Sequence, residues 1–180
     1  MTAPVNAKTT QTVRGRAGLP GRIAGDQIVA LCKLVIEHAM QPIVEIDTGR
    51  VYGHEALMRG VDRLGLAAPT DLLDLAAEAG EILALEQLLH ARAMARFTLI
   101  EGQGEKLFLN LDGRALEPDL KVVDHLIEAL RRSRLSPSSV VVELSERHDH
   151  MSSPAFPEFV RHHLHAEHVG EPGDRRHQQP

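Results

Sequence analysis

Three polar residues interrupt stretches that are otherwise apolar. Glu55 stands late in the run Val51 to Met58, Asn110 in Leu-Phe-Leu-Asn-Leu (107–111), and Glu143 in Val-Val-Val-Glu-Leu (140–144). Each falls toward the C-terminal end of its run. Burying a carboxylate is costly unless it is paired or bound to a metal. In a parallel α/β fold, the C-terminal ends of the strands are where chemistry is assembled. Two carboxylates and an amide oxygen form a hard, all-oxygen donor set, which suits Mg²⁺ or Mn²⁺ better than zinc. The alternative is that each group pairs with a neighbouring arginine or backbone amide. Residue type alone leaves both open.

The elements that must position these residues follow from the apolar spacing. Asp26 is placed to cap a helix over 27–38, with Ile28, Leu31, Val35 and Ile36 on one side. Ile43 to Ile46 reads as a short strand, 47–50 as a turn containing Gly49, and Val51 to Met58 as a second strand. Together they predict an antiparallel hairpin. Pro69 and Thr70 open a helix to about Ala79, with Thr70 as cap, and Gly80 breaks it. A longer helix carries Ile82, Leu85, Leu89 and Phe97, and Gly102 and Gly104 end it. The run 107–111 is apolar on both faces, as in a buried parallel sheet. Pro118 starts a helix to about Arg134 with Val122, Val123, Leu126, Ile127 and Leu130 inward. After Pro137 the run 140–144 is another buried-type strand. Strand, helix, strand from 105 onward is a βαβ unit. The fold class is α/β, the opening of a barrel or of an open parallel sheet.

Composition bounds what this fold can serve. The chain has 180 residues, the size of one domain, with 43% hydrophobic and 25% charged residues. Its longest apolar run is Ile28 to Cys32, far short of the roughly 20 residues that span a membrane. No secretory pattern opens the chain. Cys32, the only cysteine, is expected to be a small packed hydrophobe, and the compartment to be the cytoplasm. Residues 41–147 carry 12 basic and 18 acidic side chains, a balance of −6, and aromatics are 3% of the chain. Both observations argue against a DNA-binding role. Residues 1–25 read as a flexible leader, 26–165 as the patterned domain and 166–180 as a disordered tail. His148 and His150, or His162, His165 and His168, offer imidazoles to Zn²⁺ or Ni²⁺, but their spacing fits no zinc-finger pattern, so compositional accident is the simpler reading. His38, His90 and His125 are expected on helices, as surface or interface groups. Arg131, Arg132 and Arg134 fall at a helix C-terminus, where cations favour the dipole.

Gln41-Pro42-Ile43-Val44, followed by Gly53-His54-Glu55-Ala56-Leu57-Met58-Arg59, resembles the opening of an EAL domain. That family hydrolyses the bacterial messenger cyclic di-GMP. Leu109-Asn110-Leu111 resembles the family's Asn-bearing strand, and Val142-Glu143-Leu144-Ser145-Glu146 its Glu-Leu-Thr-Glu strand. The three motifs stand in the family's order. The resemblance implies that Glu55, Asn110 and Glu143 are metal ligands, that Arg59 holds a substrate phosphate, and that Gln41 lies near the substrate. It also implies a modified (β/α)8 barrel with an antiparallel first strand. The implied reaction uses two divalent ions, Mg²⁺ or Mn²⁺, and a bridging water to give linear pGpG.

The resemblance covers about 26–147, the first half, and then fails. A full barrel of this type takes roughly 250 residues. The family's later Asp-Asp-Phe-Gly, Lys, Glu and Gln are not recognisable here, although 154–161 still resembles the next helix. The expectation is therefore an incomplete barrel, truncated or frameshifted after Glu-Leu-Ser-Glu, with impaired activity. A degenerate module that binds nucleotide or a partner protein is the alternative. An open strand edge would favour self-association.

Overall fold

Ile28 and Cys32 lie one helical turn apart and are both buried, and they fix the inward side of helix α1, Gly25–Val35. The structure, a computed structural model, describes residues 25–100, 104–116, 121–145 and Pro157. The helix ends at Val35, not at 38, and Asp26 lies inside it. Glu37 and His38 already belong to strand β1, Glu37–Val44, so His38 is on a strand and not on a helix. Cross-strand bonding decides this boundary. β1 pairs antiparallel with β2, Val51–Arg59, from Glu37↔Arg59 to Val44↔Val51. The expected hairpin is present, but its first strand starts at Glu37 and not at Ile43. Its turn is closed by Thr48 Oγ1 donating to Glu45 Oε2 at 2.7 Å and by Gly49 at φ 69°.

Helix α2 spans Pro69–Glu78 and helix α3 Ile82–Phe97. Thr70 is not the cap of α2. Ala68 holds that position, and Asp71 Oδ2 accepts the Ala67 and Ala68 amides at 3.2 and 3.0 Å. Strand β3 (Lys106–Leu111), helix α4 (Lys121–Ser133) and strand β4 (Val140–Leu144) form the expected βαβ unit, with β3 and β4 parallel. The expected start of α4 at Pro118 lies outside the described residues.

The sheet runs in the order β1-β2-β3-β4 and stays open among the described residues. Helices cover one face. Leu107, Leu109 and Leu111 point into that layer with Leu85, Met94, Phe97 and Val122, all essentially solvent-free. The strand is thus not buried on both faces as its sequence suggested: Phe108 is only half-buried and Asn110 is exposed. Cys32 is fully buried, as expected. Of the expected 1–25 leader, residues 1–24 lie outside the described residues, as do the 166–180 tail and the tail histidines, while Gly25 opens α1. Among the described residues no helix is long and apolar enough to cross a membrane.

Candidate metal and phosphate site

Register places the polar residues. Gln41 pairs with Glu55 across the hairpin, Glu55 with Phe108 across β2 and β3, and Asn110 with Glu143 across β3 and β4. Side chains alternate along a strand. Gln41, Glu55, Arg59, Asn110 and Glu143 therefore share the face turned away from the helices. Asn110 Nδ2 donates to Glu55 Oε1 at 2.9 Å. Arg59 ends β2 and donates from Nη1 to the Met58 carbonyl at 2.9 Å. Asn110, Glu143, Arg59 and Gln41 are exposed and Glu55 is half-buried, so the burial expected for the two carboxylates and the amide does not hold. That burial would need a second layer over this face.

The donors nonetheless suit a hard cation. Partial desolvation of this exposed carboxylate by its neighbours, and secondly the negative charge of Glu55, raise the Glu143 pKa above its ordinary value. A divalent ion between the two carboxylates would relieve that repulsion. Among the described residues no three His, Cys, Asp or Glu side chains converge as a cage. An ion here would use Asn110 as the third protein donor and take its other oxygens from water or ligand, as Mg²⁺ commonly does.

A second polar group lies behind this face, and sequence reasoning missed it. Glu86, His90 and Asp112 are all buried. Glu86 Oε1 accepts the Asp112 amide at 2.8 Å, and its Oε2 lies 3.2 Å from His90 Nε2. His90 Nε2 is also 3.1 Å from the Asn110 carbonyl, which can only accept, so Nε2 carries the hydrogen. Burial pushes the Glu86 carboxyl up to about 8, against the Asp112 amide bond that lowers it, and pushes His90 down to about 4. Burial thus favours the neutral form of both side chains. Arg114 clamps the Asp112 carboxylate through Nε at 2.9 Å and Nη2 at 2.6 Å, and reaches Asp74 at 3.0 Å. His90 is therefore a core residue, not the surface or interface group expected. The legible signal was a Glu and a His four residues apart within the apolar stripe of α3. A cavity of about 240 Å³ opens here, with Arg59, Thr70, Glu86, His90 and Asn110 among its walls.

An antiparallel lead strand followed by parallel β/α units defines the class of protein, the opening of a modified (β/α)8 barrel. The family model for the EAL domain matches residues 35–170, and the chain belongs to the EAL family. Klebsiella pneumoniae BlrP1, solved as a manganese and cyclic di-GMP complex at pH 6, is 25% identical with a TM-score of 0.61, over 73% of this chain and 33% of that one. The PaMucR phosphodiesterase, solved with c-di-GMP, is 25% identical with a TM-score of 0.65, over 81% of this chain and 59% of that one. The EAL enzyme Bd1971, in its cAMP and cyclic-di-GMP bound form, shares the fold at 20% identity and a TM-score of 0.66, over 79% of this chain and 41% of that one. The chain thus spans about a third of the BlrP1 chain and less than two thirds of PaMucR. No curated protein matches it.

Proposed function

We propose that this chain presents one divalent-cation and phosphate-binding face of a cyclic di-GMP phosphodiesterase site, and that by itself it binds the dinucleotide weakly without turning it over. The observation that carries the reading is the Asn110 to Glu55 bond at 2.9 Å, with Glu143 in register beside Asn110. Glu55, Asn110 and Glu143 are the residues that would hold Mg²⁺ or Mn²⁺. When bound, such an ion offsets phosphoryl charge and makes water a better nucleophile at neutral pH. Arg59 offers a guanidinium fork to the phosphate oxygens, and its bond to Met58 uses one of five N–H donors. Gln41 stands across the hairpin from Glu55, where its amide can meet the same ligand. Hydrolysis to linear pGpG with two ions needs a second ligand set, and this face supplies one. A nucleotide messenger as ligand places the working site of this reading in the cytoplasm.

The test is to incubate the chain with cyclic di-GMP and Mn²⁺, separate the nucleotides by anion exchange, and titrate binding calorimetrically. The reading expects intact cyclic di-GMP and saturable binding. Arg59→Ala should weaken that binding by roughly 10-fold or more, the loss typical of a hydrogen bond to a charged group. Formation of pGpG that disappears in Glu55→Ala would overturn the claim of no turnover. Absence of binding would overturn the rest.

A further inference from the structure

Strands β2 and β3 pair only over Gly53–Glu55 and Lys106–Phe108 and then part, although β2 continues to Arg59 and β3 to Leu111. They approach tightly at Gly53, where a Cβ would come within 2.5 Å of the Lys106 carbonyl. Beyond the last pair, β3 has backbone groups that still need partners. Ser145 N donates to the Leu111 carbonyl, so Leu111 faces β4. The Asn110 carbonyl and the Asp112 amide must then face the side that β2 has left.

In a parallel ladder, one residue of the neighbouring strand donates its N–H to the carbonyl of residue i−1 and accepts the N–H of residue i+1. Here no β2 residue does this. His90 Nε2–H donates to the Asn110 carbonyl at 3.1 Å, and Glu86 Oε1 accepts the Asp112 amide at 2.8 Å. Two side chains one turn apart on α3 supply the donor and the acceptor that one peptide unit would supply. Both are buried, and the Asp112 carboxylate beyond them is locked to Arg114.

We infer that Glu86 and His90 are positioning residues that replace a β2 residue in the ladder, so that the strands can part and the Asn110 amide is held against Glu55. The bonds to Asn110 and Asp112 stand on geometry alone. Only the consequence for metal affinity rests on the proposed function.

The experiment compares the full wild-type chain with Glu86→Gln, which keeps the acceptor in neutral form, and Glu86→Leu, which removes it. Hydrogen exchange at the Asp112 amide, the NMR resonances of the Asn110 side-chain amide, and Mn²⁺ affinity are read for each. Asp112 should exchange slowly in wild type and Glu86→Gln and about 10-fold or more faster in Glu86→Leu, the effect of one lost hydrogen bond. The β4 amides should stay unchanged. Mn²⁺ affinity should fall on the order of 10- to 100-fold in Glu86→Leu, as when a group supporting a metal ligand is removed, and recover in Glu86→Gln. Wild-type exchange at Asp112 in Glu86→Leu would overturn the inference, as would Glu86→Gln behaving like Glu86→Leu. If wild type takes up no Mn²⁺, the proposed function fails, and the exchange and the Asn110 resonances still decide the positioning role. If Glu86→Leu does not fold, His90→Gln against His90→Leu makes the same comparison at the Asn110 carbonyl.

Discussion

Asn110 Nδ2 donates to Glu55 Oε1 at 2.9 Å, across 55 residues of sequence, at the point where the backbones of β3 and β2 have ceased to pair. The bond ties the hairpin to the βαβ unit through side chains alone. It leaves the amide oxygen of Asn110, the second oxygen of Glu55 and the Glu143 carboxylate as donors on one exposed face. This face and the buried Glu86–His90 pair behind it meet at one residue, Asn110, whose side chain serves the front and whose carbonyl is held from the back.

Glu86, His90 and His38 together set a pH optimum for stability. Glu86 is raised from 4.5 to about 8 by burial, so between these values the folded chain keeps a proton that the unfolded chain releases, and stability falls as pH rises through about 8. His38 and His90 are lowered from 6.5 to about 4, chiefly by burial. Between those values the unfolded chain binds the extra protons, so stability rises with pH. Two rising contributions outweigh one falling contribution below pH 6.5, and only the fall remains above it. Urea denaturation without divalent ions should show maximum stability near pH 6.5. Glu86→Gln should remove the decline toward pH 8, and a decline of equal slope in that variant would contradict the assignment.

Gly60 holds the turn directly after Arg59. Its φ is 92°, and a Cβ there would lie 2.2 Å from the Val35 carbonyl. Gly60→Ala should destabilise the chain by about 1–3 kcal/mol from backbone strain alone, with the clash adding to that, and should weaken phosphate binding by moving Arg59. A change within about 0.5 kcal/mol, the scale of a neutral surface substitution, would show that the turn relaxes freely.

The outer edge of β4 has no partner strand among the described residues, and Val44, Ile46, Val51 and Tyr52 are exposed apolar groups at the hairpin end. Unpaired edges and apolar patches promote association. Sedimentation velocity should therefore show mass rising with concentration. A single monomeric species at every concentration would refute this.

Much of this was legible in the sequence, for identifiable reasons. Leu107–Leu111 and Val140–Leu144 are compact apolar runs bounded by glycine or proline, and both are strands. Glu55, Asn110 and Glu143 stood out because each broke such a run, and register brings them to one face. The α1/β1 boundary was not legible, because Glu37-His38-Ala39-Met40 has no strand alternation and is extended only through its bonds to β2. Which sheet face is covered was not legible either, since a mostly apolar strand does not reveal which of its neighbours arrives. Glu86 and His90 were missed because their spacing of four residues in the apolar stripe of α3 marks only a buried polar pair, while the parting of strands whose backbone groups they satisfy leaves no local pattern.

The most direct test is Mn²⁺ uptake by the full chain, followed by loss of the free-ion electron paramagnetic resonance signal. Saturable uptake that is abolished in both Glu55→Ala and Asn110→Ala, with folding retained, is the predicted result. Uptake unchanged by these substitutions, or no uptake by the wild-type chain, would contradict the assignment of Glu55, Asn110 and Glu143 as a metal-binding face.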